Sequence, residues 1–509
     1  MRQLLTLLFC LCCAGPLAAQ LPLQLTTTDG TVLGAAAELS GVSVFRGLPY
    51  AAPPVGENRW RAPQPVATWA GVRDATHFAP RCVQGGFAPG ADQALTSEDC
   101  LYLNVWTPAT AADEALPVLF WIHGGGFFTG SGSAVTYDGS NLAALGAVVV
   151  TINYRLGSFG FLAHPELSAE SPEGSSGNYA LLDMVAALQW VQRNIAAFGG
   201  DSERVTIVGE SAGAQAVGLL LATPLSEGLF HRAVLQSGAF MGLSLARLPT
   251  LATQEAQGME QVAAFGADSI AALRQASAQQ IFERFPSGGS VNVDGWVLPA
   301  DPALLFAGGR QHKVDILAGS NRDEAIFFGP GLQSASALRD YASDKFGNLA
   351  AAFLALYPAH DDAGANQSYQ RAFSDELAWH IRLLGRYQAD AGQQAWLYYF
   401  THVPPGQEAR GATHVAELAY MFNQHGQNPA WTAVDRQLGE TMARYWVNFA
   451  RSGNPNGADL PEWPAFHDNS PGSVIVLGDE VAAETEQRPN AAALEFFDTA
   501  YAQHLEALD

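Results

Sequence analysis

The sequence predicts an α/β fold in which a central, mostly parallel sheet is flanked by helices. Several apolar runs are nearly continuous in Val, Ile and Leu, which is typical of strands that are covered on both faces. Helical patterns fall between these runs, most clearly over residues 179–195, and such alternation indicates an α/β architecture. The predicted strands are residues 116–122 (LPVLFWI), 147–152 (AVVVTI), 205–208 (VTIV), 233–236 (AVLQ) and 314–318 (VDILA).

Composition indicates a single globular unit. Of the 509 residues, 48% are hydrophobic and 15% are charged, a balance that excludes a mainly disordered chain. Neither a repeat nor a linker rich in Gly and Ser divides the sequence, so we expect one domain over residues 20–509. The 49 acidic against 26 basic side chains give a net charge of −23. A field of this sign repels nucleic-acid phosphates and disfavours binding to anionic membrane surfaces, so we expect neither as a partner.

The first 19 residues have the pattern of a secretory signal peptide. Arg2 precedes a short apolar run, and the small residues Ala18 and Ala19 close the segment. The run is too short to span a membrane, and no later stretch is long and apolar enough to do so. We therefore expect cleavage near Gln20, a secreted or periplasmic chain and no stable membrane insertion.

Two cysteines remain after this segment, Cys82 and Cys100. An even pair in an exported protein suggests one disulfide. In the chain-entropy model, a loop of this size stabilises the fold by roughly 3 kcal/mol. Two cysteines without a nearby pair of histidines do not make a zinc site, so we expect no metal here.

A nucleophile is predicted within residues 209–213 (GESAG). The segment follows the strand at 205–208 and precedes a predicted helix at 214–222. In this Gly-x-Ser-x-Gly context, a tight turn between strand and helix exposes the serine hydroxyl, here that of Ser211. The N-terminus of the helix places partial positive charge near the negative charge that develops during attack.

A second glycine-rich segment, residues 123–127 (HGGGF), directly follows the strand at 116–122. Serine attack on a carbonyl generates an oxyanion, which requires N–H donors aimed at it. Consecutive glycines let backbone amides approach a substrate closely. The residue after the nucleophile, Ala212, supplies a further donor. We expect His123 to brace this loop and not to act as the base.

The serine requires a base, and the base requires a carboxylate that orients it. The order serine, acid, histidine restricts the base to histidines well after Ser211, and His414 is the first choice. The acid should follow the strand at 314–318, where the residues alone do not separate Asp323 from Glu324. The competing histidines are His402, His425 and His467.

The sequence resembles the type-B carboxylesterase family, which includes the cholinesterases and bacterial para-nitrobenzyl esterases. The resemblance spans nearly the whole chain after residue 19. Besides the two catalytic motifs, the matching segments are residues 45–51 (FRGLPYA), 53–56 (PPVG), 59–60 (RW), 98–105 (EDCLYLNV), 153–155 (NYR), 198–201 (FGGD) and 236–238 (QSG).

The resemblance implies an α/β-hydrolase fold with helical insertions over the active site. It implies Glu324, and not Asp323, as the acid, and it supports His414 as the base. Its oxyanion donors correspond to Gly125, Gly126 and Ala212.

The same resemblance assigns supporting roles. The family's first disulfide corresponds to Cys82 and Cys100, and two of its structural ion pairs correspond to Arg59–Glu98 and Arg155–Asp183. Two further residues, Glu210 and Ser237, correspond to positions that support the histidine.

One difference from the cholinesterases concerns specificity. They have a choline-binding Trp inside the first disulfide loop, whereas residues 83–99 contain no Trp and a single aromatic residue, Phe87. A quaternary ammonium would lack its main cation–π platform. The sequence therefore predicts a general esterase.

Together these observations predict a secreted serine carboxylesterase that acts on a small-molecule ester through an acyl-enzyme intermediate and requires no cofactor or metal. Two alternatives remain at this stage: a non-catalytic adhesion or receptor module on the same fold, and an amide or carbamate hydrolase with the same triad. The natural ester and the oligomeric state stay open.

Overall fold

The structure is a computed structural model that describes residues 21–85, 95–285, 289–329, 331–332, 334–424, 428–467, 473–484 and 489–508. The predicted signal peptide, Phe87 and His425 lie outside the described residues.

The strands are β1 (Gln24–Thr26), β2 (Thr31–Leu33), β3 (Ala35–Ala36), β4 (Ser43–Pro49), β5 (Val72–Asp74), β6 (Arg81–Cys82), β7 (Thr96–Ser97), β8 (Tyr102–Thr107), β9 (Leu116–Ile122), β10 (Val148–Ile152), β11 (Gly200–Glu210), β12 (Arg232–Gln236), β13 (Asp315–Asn321), β14 (Ala395–Phe400), β15 (Val474–Leu477) and β16 (Val481–Ala483).

The α-helices are α1 (Ser140–Ala144), α2 (Gly157–Phe161), α3 (Pro165–Glu170), α4 (Tyr179–Asn194), α5 (Ala212–Ala222), α6 (Leu251–Phe265), α7 (Ile270–Leu273), α8 (Ala278–Arg284), α9 (Pro302–Ala307), α10 (Ala335–Phe346), α11 (Ala350–Leu356), α12 (Asp362–Asp390), α13 (Leu418–Met421), α14 (Ala433–Ser452) and α15 (Ala491–Leu508).

A large twisted sheet dominates the fold. In the described part of the chain, eleven strands form it in the order β16-β15-β14-β13-β12-β11-β9-β10-β8-β4-β3. In this order, the neighbours from β15 through β9 to β10 pair in parallel. The strands at both edges of the sheet pair antiparallel. The α/β prediction is therefore confirmed, and each of the five predicted strands is present within a residue or a few of its expected bounds.

Helices cover both faces of the sheet, because successive side chains of a strand point to opposite sides. In β9, Phe120 packs in the apolar cluster that contains Trp190 of α4. The next residue, Trp121, packs on the other face in the cluster that contains Trp446 of α14. Burying side chains of this size contributes about 2–3 kcal/mol each, which explains why these strands read as continuous apolar runs.

The parallel order brings several loops to one edge of the sheet. The strands β9, β11, β12 and β13 lie side by side, and their carboxyl ends precede His123, Ser211, Ser237 and Glu324. Open α/β sheets bind ligands at this edge. Two helical insertions follow: α6 to α9 lie between β12 and β13, and α10 to α12 lie between β13 and β14.

Covalent and ionic ties fix the N-terminal part. The predicted disulfide joins Cys82 and Cys100. Both predicted ion pairs are present. Arg59 contacts Glu98 at 2.5 Å. Arg155 lies 2.6 Å from Asp183, with both side chains almost fully buried.

Within the described ranges, no helix is both long and apolar enough to cross a membrane.

Candidate active site

Ser211 occupies a sharp turn between β11 and α5. Its backbone angles are φ 57° and ψ −124°, a conformation that costs an ordinary residue free energy and that persists only when the surroundings impose it. The backbone N–H of Ser211 donates to the Gln236 carbonyl in β12 at 2.9 Å. The serine side chain is thereby held at the carboxyl edge of the sheet.

Close packing explains the glycines around this turn. A Cβ atom on Gly213 would lie 2.1 Å from the Ile122 carbonyl oxygen, and one on Gly124 would lie 3.0 Å from the Ser211 Cβ. A side chain at either position would push the end of β9 away from the turn. Glycine therefore lets the serine and the glycine loop, which we define as residues 123–132, lie against each other.

The glycine loop has an unusual backbone path. Gly125 and Gly126 have φ angles of 101° and 64°, and Phe127 also has a positive φ, 64°. The Gly125 carbonyl accepts hydrogen bonds from the N–H groups of Phe128 and Thr129. These two bonds close a tight turn within the loop, whose first glycine, Gly124, lies against Ser211.

His414 and Glu324 form a short hydrogen bond. The His414 Nδ1 lies 2.6 Å from the Glu324 Oε2, and the other oxygen of Glu324 accepts the Asn321 backbone N–H at 2.7 Å. Both side chains are essentially inaccessible to solvent. The carboxylate thus fixes the ring orientation and requires a proton on Nδ1, which leaves Nε2 free to accept a proton.

The Nε2 atom of His414 points to the end of β11. It lies 3.1 Å from the Oε1 of Glu210, the residue before Ser211. Within the described part of the chain, this nitrogen makes no aligned hydrogen bond, including none to the Ser211 Oγ. Catalytic hydrogen bonds are often long or poorly aligned in free enzymes and tighten when substrate binds.

Burial and charge set the proton affinities of this cluster. Burial is the largest influence on Glu210 and raises its pKa above that of a carboxyl group in water. Burial alone would lower the pKa of His414, but the negative charges of Glu210 and Glu324, with the Glu324 hydrogen bond, outweigh it and raise that pKa. The imidazolium is therefore stabilised by its surroundings.

The other acid that the sequence left open points elsewhere. The Asp323 Oδ2 accepts from the Arg322 side chain at 2.9 Å and from the Ala412 backbone N–H at 2.8 Å. Of the two neighbouring carboxylates, the structure brings Glu324 to the histidine.

The other described histidines that the sequence raised as candidates lie in different surroundings. His123 is buried against the Tyr154 ring, and its Nδ1 lies 2.8 Å from the Gly124 carbonyl oxygen. Burial lowers the pKa of His123 to about 4. The His402 ring contacts Asp435 and Asp479, and His467 is exposed.

A third buried glutamate, which the sequence reading left without a role, lies behind the site. The Glu417 carboxylate accepts from the Asn321 side-chain amide at 2.6 Å and from the Gln236 amide at 3.1 Å. Burial raises its pKa. The sequence does not single out Glu417, because a glutamate three residues after a histidine and at the start of a helix is common in proteins.

Backbone strain and aromatic rings also surround the histidine. Ser237 and Val415 have φ angles of 52° and 67°, and such outliers concentrate at functional sites. Within the described residues the Oγ of buried Ser237 has no hydrogen-bond partner. The rings of Phe327 and Phe328 lie 5.4 and 4.9 Å from the imidazole. Both phenylalanines are substantially exposed, so they form an apolar wall beside the imidazole.

The described side chains contain no cluster of three or more His, Cys, Asp or Glu residues suited to a metal ion. The arrangement supplies a serine hydroxyl at a strained turn, the N-terminus of α5 directly after it, and an imidazole oriented by a carboxylate. This combination can perform acyl transfer.

Comparison with known proteins gives a consistent result. The carboxylesterase family model matches residues 22–497. The chain is 43% identical to a fumonisin B1 esterase of Sphingopyxis macrogoltabida, over 90% of this chain and 86% of that protein. It is 35% identical to a para-nitrobenzyl esterase of Bacillus subtilis, over 91% and 96% of the two chains.

Solved structures of PNB esterases are similar to the whole fold. One has a TM-score of 0.82 and 32% identity, covering 93% of this chain and 99% of the other. A thermophilic PNB esterase has the same TM-score at 33% identity. The α/β-hydrolase fold expected from the resemblance is therefore confirmed. The chain belongs to the carboxylesterase family and is a carboxylic ester hydrolase that acts on small-molecule esters.

Proposed function

We propose that the chain is a secreted serine carboxylesterase with a triad of Ser211, His414 and Glu324. The main support is the buried 2.6 Å hydrogen bond between Glu324 and His414, whose free imidazole nitrogen faces the end of β11 beside Ser211. In this arrangement Ser211 lies near a base, His414, whose ring is already oriented by Glu324.

The reaction proceeds in two halves. The Ser211 Oγ attacks the ester carbonyl carbon while its proton passes to the His414 Nε2, and Glu324 stabilises the resulting imidazolium. The N–H groups of Gly125, Gly126 and Ala212 bind the oxyanion of the tetrahedral intermediate. His414 then protonates the departing alcohol, which leaves an acyl-enzyme. Water attacks this ester by the same route, which releases the carboxylic acid and restores the serine.

Glu210 and Ser237 support the imidazole in this proposal. The Glu210 carboxyl group lies against Nε2, and Ser237 lies at the end of the neighbouring strand β12 with a strained backbone. Both act on the histidine and not on the substrate.

Among esters, we propose fumonisin B1 and para-nitrobenzyl esters as substrates. The relative named for fumonisin B1 is 43% identical to this chain, and the para-nitrobenzyl esterase is 35% identical. The apolar wall of Phe327 and Phe328 suits the hydrocarbon part of either ester.

We further propose export by a signal peptide over residues 1–19, followed by one domain over residues 20–509. The disulfide of Cys82 and Cys100 supports an oxidising compartment, and the family match from residue 22 supports a domain that begins there.

N-terminal sequencing of protein secreted by an expressing cell should give a start near Gln20. An intact Met1 on the exported protein would contradict cleavage.

The substitution Ser211→Ala should abolish turnover of a para-nitrobenzyl ester and of fumonisin B1, because it removes the nucleophile. We expect kcat to fall by more than about a thousandfold. Ser226→Ala is the matched control, since the hydroxyl of this buried serine donates to the Leu220 carbonyl away from the site. Steady-state kinetics check both variants, and substantial turnover by Ser211→Ala would refute the proposed mechanism.

The pH dependence should respond to Glu210. Activity requires neutral His414, so kcat/KM rises with pH through the pKa of this histidine. Since the charge of Glu210 raises that pKa, Glu210→Gln should move the acidic limb to lower pH. Glu57→Gln, at an exposed glutamate, should leave the profile unchanged. A Glu210→Gln limb that stays in place or moves to higher pH would contradict the electrostatic account.

A further inference from the structure

We propose that Gln84 is a positioning residue that holds the glycine loop in the geometry required for oxyanion binding. This inference depends on the proposed function, because it assigns the oxyanion donors to Gly125, Gly126 and Ala212. Gln84 itself does not contact the reacting atoms. It acts through the backbone of the loop.

The amide of Gln84 uses all of its hydrogen-bonding capacity. Its Oε1 accepts from the Thr129 hydroxyl at 2.7 Å and from the Gly130 N–H at 2.8 Å. Its Nε2 donates to the carbonyl oxygens of Gly130 at 2.8 Å and Cys82 at 3.0 Å. The side chain is only 5% exposed, so these four bonds form away from competing water. A buried amide that lost them would be costly to retain.

These contacts continue directly to the oxyanion donors. The Thr129 N–H donates to the Gly125 carbonyl at 3.1 Å. A Cβ atom on Gly125 would lie only 2.2 Å from the Thr129 carbonyl oxygen, so the two residues are in tight contact. Moving Thr129 or Gly130 would rotate the peptide planes at Gly125 and Gly126. The direction of their N–H groups thus depends on the Gln84 amide.

On the side away from the glycine loop, the Gln84 amide contacts a segment that is fixed by the disulfide. Cys82, whose carbonyl Gln84 contacts, is bonded to Cys100. The Asn153 amide makes a second, parallel connection: it donates to the Cys100 carbonyl at 3.2 Å and accepts from the Gly132 N–H at 2.9 Å. The side-chain amides of Gln84 and Asn153 therefore both join the disulfide-bonded segment to the glycine loop, and Gln84 is the one whose partner Thr129 contacts Gly125.

The test substitutes methionine for Gln84, which keeps the length of the side chain and removes its hydrogen bonds. Misplaced oxyanion donors weaken transition-state binding more than substrate binding. We therefore expect kcat and kcat/KM of the full chain to fall together, by about tenfold to a hundredfold, with KM nearly unchanged. A trifluoromethyl ketone, whose adduct with the serine carries an oxyanion, should bind weaker by a similar factor.

Gln192→Met is the matched control. The Gln192 amide also bridges backbone carbonyls, of Ser202 and Leu229, but it lies in α4, away from the active site. Both variants should lose stability, whereas only Gln84→Met should lose kcat and ketone affinity. If the two variants show equal kcat and equal ketone affinity, the inference is wrong. The proposed function would still stand if Ser211→Ala were inactive.

Thr129→Val provides a second route, which also applies if Gln84→Met fails to fold. It removes the hydroxyl that donates to Gln84 and leaves the other hydrogen bonds of Gln84 in place. We therefore expect kcat to fall less than in Gln84→Met, with KM unchanged. In the Gln84→Met background the same change should have no further effect on kcat/KM. A Thr129→Val variant with unaltered kcat, or a loss that adds fully to that of Gln84→Met, would overturn the inference.

Discussion

The structure of the site depends on the backbone conformation of Ser211. Ser211 keeps a φ angle of 57° between β11 and α5 because the residues packed around it impose this backbone conformation. The end of β9 packs against Gly213, and the Gln236 carbonyl in β12 binds the Ser211 N–H. The same turn places the hydroxyl at the sheet edge and the Ala212 N–H at the start of a helix. The proposed nucleophile and one proposed oxyanion donor therefore come from a single constraint.

The second feature of the site is the number of acidic groups around one imidazole. Glu210, Glu324 and Glu417 are almost completely buried, and the first two approach opposite nitrogens of His414. Burial raises the pKa of Glu210 and of Glu417 and so favours their neutral forms, whereas a neighbouring imidazolium favours the charged form. In the proposed mechanism, the cluster thus stabilises the positive charge that His414 gains when it accepts the Ser211 proton.

The sequence predicted the parts of the fold that have a local signal. The strand β9 and the helix α4 were predicted within a residue, because their apolar patterns follow from burial on the sheet faces. The turn at Ser211 was predicted from glycine spacing. The choice between Asp323 and Glu324 was not possible from the residues alone, since both are loop carboxylates after β13. Gln84 was missed because its contacts join segments about 45 residues apart, which no local pattern records.

The most direct test of the account is to map the residue that a fluorophosphonate probe modifies. The probe phosphonylates an activated serine, so the reaction reports on the hydroxyl, the base and the oxyanion donors together. Peptide mass spectrometry of the labelled full chain should find the phosphonyl group on Ser211 and on no other serine. Absence of labelling, or a phosphonyl group on a different residue, would contradict the assignment of this turn as the centre of the reaction.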